Sequence, residues 1–115
     1  MITIETDNPR ELVNQINRAI RTGKTSLWDV DKDGDYFLQQ VGWAGKGWMR
    51  PVTDDTAPHM LRIVIIEPIG QKLLKSTYSV LHCRFAEMIL TLFDTQIEKL
   101  SITPLLTEHD LYSNA

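Results

Sequence analysis

Between Leu12 and Ile20 the apolar residues Leu12, Val13, Ile16, Ala19 and Ile20 recur at helical spacing, while Arg10, Asn14, Asn17, Arg18 and Arg21 fall on the other side. This pattern predicts an amphipathic helix with one buried stripe. Its start carries its own signals: Asn8 can cap free backbone amides, Pro9 suits the first turn, and Glu11 sits at the capping-box position. Gly23 supplies a left-handed stop. From Lys24 the period shortens, and aromatic and β-branched pieces alternate with turn residues. Strands are expected over about Ser26 to Asp31, Asp35 to Gln40, Gly47 to Val52, and Met60 to Glu67. Turns are expected at Lys32-Asp33-Gly34, Gly42 to Lys46, and Thr53 to Pro58. Connections this short suit antiparallel neighbours in a meander.

Pro51 cannot donate a ladder hydrogen bond, so the third of these strands belongs at an edge or a bulge. The nearly continuous apolar run Met60-Leu61-Arg62-Ile63-Val64-Ile65-Ile66 suits a central strand. A long helix follows, starting between Gln71 and Ser76 and ending near Asp94, with Tyr78, Leu81, Phe85, Met88, Ile89, Leu92 and Phe93 on its broad apolar face. Leu100 to Thr103 reads as one more strand before Pro104, and residues 107–115 as a loosely held tail. The expected fold is a single α+β domain over residues 1–115, in the order αββββαβ. Its antiparallel sheet has four or five strands, and both helices pack on one face.

Composition narrows the function classes. The 115 residues are 43% hydrophobic and 23% charged, which suits one ordinary globular core. A net charge of -3, with the twelve Lys and Arg scattered, argues against nucleic acid as a partner. Met1 to Asp7 shows no basic region and no apolar run of signal-peptide length, and no apolar run approaches the roughly 20 residues that cross a bilayer. A cytoplasmic protein without a membrane partner is expected. The lone Cys83 forms no internal disulfide, and no Cys/His spacing announces a metal or cofactor.

The strongest chemical motif is Asp29-Val30-Asp31-Lys32-Asp33-Gly34-Asp35. Asp29, Asp31, Asp33 and Gly34 match the first half of a calcium loop, but position 12 is Gln40 rather than a bidentate glutamate. The flanks read as strands, and Asp33-Gly34 is a strong hairpin signal whose two turn residues would both take positive φ. The hairpin is the preferred reading. Gly42-Trp43-Ala44-Gly45-Lys46-Gly47 fails as a phosphate loop, because Gln40 stands where the first glycine belongs and Gly47 where Ser or Thr should follow the lysine. His82 shares the apolar face of its helix with Tyr78 and Phe85, whereas Cys83 lies on the side of Glu87, so the two form no dyad. No catalytic constellation is singled out, and the balance leans away from an enzyme.

Trp28 with Asp33-Gly34-Asp35, then Trp43 and Trp48-Met49-Arg50-Pro51, then Tyr78, His82, Phe85 and Glu87-Met88, resembles a group of small uncharacterised bacterial proteins of about this length. The resemblance implies a shared fold and carries no activity with it. From the residues, the leading expectation is a non-enzymatic protein-binding module of the immunity or antitoxin kind. It would meet a basic partner protein through Asp31, Asp33, Asp35, Trp43 and Arg50. One alternative is a small-molecule pocket or minor enzyme site formed by His82, Arg62 and Glu87. Another is a homo-oligomer.

Overall fold

The computed structural model describes residues 1–43 and 45–110. The elements are β1 (Ile2–Glu5), α1 (Pro9–Arg21), β2 (Trp28–Val30), β3 (Tyr36–Leu38), β4 (Trp48–Thr53), β5 (Met60–Ile66), α2 (Lys75–Leu92), a short 3-10 turn (Asp94–Gln96) and β6 (Lys99–Ile102). All six strands form one antiparallel sheet in the order β2-β3-β4-β5-β1-β6. The α+β class is as expected, but the order αββββαβ lacks a strand. Ile2 and Ile4 are fully buried and alternate with Thr3 and Glu5, which makes β1 a strand between β5 and β6.

Cross-strand pairs Ile2↔Ile63, Ile4↔Leu61, Met49↔Ile65, Tyr36↔Met49 and Trp28↔Leu38 put these buried residues on one face, while Val64 and Ile66 of β5 are buried on the other. Leu12, Ile16 and Ile20 of α1 and Leu81, Phe85 and Ile89 of α2 close over that face in one core. Phe85 sits at its centre, edge-on to Trp28 at 5.2 Å and tilted against Tyr36 at 5.4 Å. α1 begins where the sequence places it, with the Asn8 side chain accepting the Glu11 N–H at 3.2 Å. β4 lies inside the sheet, yet β3 meets it only at Tyr36↔Met49. Pro51 therefore sits along a local edge, where no ladder partner on that side is lost.

The β2–β3 hairpin exists, with a different turn from the expected one. Gly34 N–H donates to the Asp31 carbonyl at 3.1 Å, and Asp31 N–H to the Asp35 carbonyl at 2.9 Å. Lys32 and Asp33 are thus the central turn residues, and Gly34 follows with φ +84°. A three-residue loop closed by a left-handed glycine replaces the tight Asp-Gly turn. The expected loose tail is also corrected over its first part: Asp110 is buried, and its carboxylate accepts N–H groups of Thr107 at 2.9 Å and Ile65 at 3.0 Å. The rest of that tail, 111–115, lies outside the described residues.

Candidate functional site

The acidic hairpin is mostly committed to the fold. The Asp35 side chain is inaccessible, and Arg50 holds both its oxygens, Nε to Oδ1 at 2.7 Å and Nη2 to Oδ2 at 2.8 Å. That hydrogen-bonded carboxylate raises the Arg50 pKa further despite burial, and the negative charges of Asp33 and Asp31 add to the effect. Asp31 turns its Oδ1 onto the hairpin's own amides, Asp33 N at 2.9 Å and Asp35 N at 3.0 Å. Trp43 packs half-buried against the core, with the Lys46 ammonium 5.7 Å from its ring centre. Of the five proposed contact residues, only Asp33 is exposed. Asp35 is withdrawn from a partner-facing role, because burial removes it from any surface.

Asp29, Asp31 and Asp33 do not converge on a cation. Asp29 accepts Val30 N–H at 2.8 Å through one oxygen and the Gln39 amide at 2.9 Å through the other. Among the described residues no group of three His, Cys, Asp or Glu is placed to hold a metal.

The His82 pocket is not assembled either. His82 is buried and stacks on Tyr78 at 3.8 Å, and its Nδ1–H donates to the Tyr78 carbonyl at 2.8 Å. Arg62 pairs with Thr3 and Val52 on the sheet face away from the helices and reaches Asp54 at 3.3 Å. Glu87 is exposed on α2 beside Arg84, 3.5 Å away. Three residues on three different surfaces form no site. The structure does not bring these three residues together.

What the structure gathers instead is apolar and exposed. Leu74 and Leu105 are 63% and 72% accessible, and Leu106 joins them at the end of the sheet where β1 begins and β6 finishes. Leu73, Leu74, Tyr78, Pro104, Leu105 and Leu106 line a cavity of about 430 Å³ there. Gly47 adjoins it: a Cβ on that residue would lie 2.9 Å from Leu81 Cδ1 and 3.8 Å from Leu73 Cδ1. The residue at the head of α2 is Leu74, with no side-chain cap and no acid in the first turn. Unlike α1, this helix presents uncapped N–H groups, beside Lys72 and Lys75.

Tyr78 joins this surface to the sheet. Its hydroxyl donates to the Thr103 carbonyl at 2.6 Å and accepts from the Met1 ammonium at 2.8 Å, and burial raises its pKa. The two Leu pairs, Leu73-Leu74 and Leu105-Leu106, were visible in the sequence as apolar steps off any amphipathic stripe. Their convergence depends on topology, which no local pattern records. Among the described residues no helix is long and apolar enough to cross a membrane. Comparison of the chain with family models, with curated proteins and with solved structures finds no match.

Proposed function

We propose that this chain is a non-enzymatic protein-binding module whose docking surface is the apolar end built by Leu73, Leu74, Leu105 and Leu106. The observation that carries the reading is the clustering of three exposed large side chains, Leu74, Leu105 and Leu106, around one cavity. Exposed apolar residues scattered singly need no explanation, whereas a contiguous patch with a polar rim marks an interaction surface. An immunity- or antitoxin-type contact through the acidic hairpin is less well supported, since Asp35 is sealed against Arg50 and Asp31 serves the turn. Protein binding is kept, and its surface moves.

Affinity capture from the host with wild type, Leu105→Asp and Asp33→Lys tests the assignment, after melting curves show that each variant is folded. A stoichiometric partner retained by Asp33→Lys and lost by Leu105→Asp is the expected result. Loss by Asp33→Lys alone would return the function to the hairpin and overturn this reading.

A further inference from the structure

Resting on that reading, we infer that the occupant of the apolar end is the opposite end of a second copy, so that the chain associates head to tail. β1 runs from Ile2, beside the apolar end, to Glu5, which pairs with Met60 and Lys99 at the far end of the sheet. A cavity of about 360 Å³ opens there. It is lined by Ala57, Pro58 and Met60 and by Glu5, Thr6, Asp7, His59 and Glu98, with no lysine or arginine in the lining. His59 Nδ1 lies 3.2 Å from the Asp7 carbonyl. The neighbouring cations Arg10 and Arg62 are taken up by Asp55 and Asp54, each at 3.3 Å, and Lys99 sits across from Glu5 in the sheet.

The two ends are complementary in charge. One end offers projecting leucines flanked by Lys72 and Lys75, neither of which has an ion-pair partner among the described residues, and by the positive end of the α2 dipole. The other offers a cavity whose lining holds three carboxylates, Glu5, Asp7 and Glu98, beside Ala57, Pro58 and Met60. An isologous dimer through the apolar ends would set both lysine pairs and both helix starts against their own copies, and like charge across an interface disfavours that arrangement. The head-to-tail contact removes the conflict and places each lysine pair toward the three carboxylates. Such a contact is heterologous, so it adds copies in sequence unless its rotation closes a ring. With a modest surface on each side, the association is expected to be weak and concentration-dependent.

Sedimentation velocity of the full chain over a wide concentration range tests this. Wild type is expected to move from monomer to larger species as concentration rises, and back toward monomer as salt is added, because the charged rim is screened. Leu105→Asp alone and the double variant Glu5→Gln, Glu98→Lys alone are each expected to stay monomeric. Mixed, they are expected to give a 1:1 dimer and nothing larger, since each retains the half of the contact that the other has lost. A wild type that is monomeric at every concentration overturns the inference, and so does a Glu5→Gln, Glu98→Lys variant that still self-associates, which would mark an isologous contact. If wild type stays monomeric while a host partner is lost with Leu105→Asp, head-to-tail association fails and the protein-binding reading stands. If neither occurs, both fail.

Discussion

Asp35 and His82 are buried polar side chains that the fold treats in opposite ways. Arg50 meets both oxygens of the Asp35 carboxylate. Removing one member of a buried pair leaves an uncompensated charge, so Arg50→Met is expected to cost on the order of 3–5 kcal/mol in urea denaturation. Asp35→Leu combined with Arg50→Met should recover most of that loss, because the desolvated charge goes with its partner. If the single variant melts like wild type, the pair contributes nothing.

His82 instead stays neutral. Its Nδ1 carries the proton toward the Tyr78 carbonyl, and its buried Nε2 has no partner among the described residues. Burial, reinforced by the nearby Met1 ammonium, lowers its pKa from 6.5 to about 4, against smaller opposing effects of the Tyr78 carbonyl and Asp110. As pH falls through that window the unfolded chain takes up a proton that the folded chain refuses. Stability therefore declines from about pH 6.5 downward, by about 3 kcal/mol once pH 4 is passed. His82→Leu should flatten this limb of the urea-midpoint profile between pH 7 and pH 5, and an unchanged slope would remove His82 as its cause.

At the level of elements, two glycines do different work. Gly34 follows the β2–β3 turn at φ +84°, and a Cβ added there would meet open space, so Gly34→Ala is penalised by backbone conformation alone, roughly 1–2 kcal/mol. Gly47 is tight against Leu81, and a methyl group there must displace a core side chain, which costs roughly 1–3 kcal/mol. Chemical denaturation reads both totals, and amide exchange separates them, with Gly34→Ala loosening the hairpin and Gly47→Ala the packing of α2 on β5. The Asp-Gly signal located this hairpin but not its turn, because the loop is set by which carbonyl Gly34 meets, a matter of strand register. α1, β5 and α2 were legible from cap, stripe and apolar run, all of them local. β1 was not, although Ile2 and Ile4 alternate as a strand should: both its partners lie far along the chain. The candidate site suffered the same way. Asp31, Asp33 and Asp35 look alike in sequence, and only the approach of Arg50 across β3 and β4 separates a buried ion-pair member from an exposed charge.

For the molecule as a whole, the position of Leu105 and Leu106 depends on how the segment that carries them is tied down at both ends. Upstream, the Tyr78 hydroxyl holds the Thr103 carbonyl at 2.6 Å. Downstream, Asp110 accepts Thr107 N at 2.9 Å and Oγ1 at 3.1 Å, reaches Ile65 N at 3.0 Å, and lies 3.3 Å from the Met1 ammonium. The leucines thus stand on a strap between α2 and β5. Burial alone would raise the Asp110 pKa, but the amides of Thr107 and Ile65 and the ammonium outweigh it and leave the pKa below its ordinary value. A lowered folded-state pKa means that the contribution is complete above the unfolded carboxylate range and is lost as pH falls through the folded value. Asp110→Ala leaves the Ile65 N–H without its acceptor, and is expected to cost roughly 1–3 kcal/mol at neutral pH. It should also raise amide exchange at Ile65, Leu105 and Leu106 while the β2–β3 hairpin keeps its protection. Docking at the apolar end should weaken together with that local exchange, since a surface whose leucines are no longer held must order them on binding. Unchanged exchange at Leu105 and Leu106 in Asp110→Ala would mean that Tyr78 and Thr103 suffice to hold the strap, and Tyr78→Phe would then be the variant that releases it.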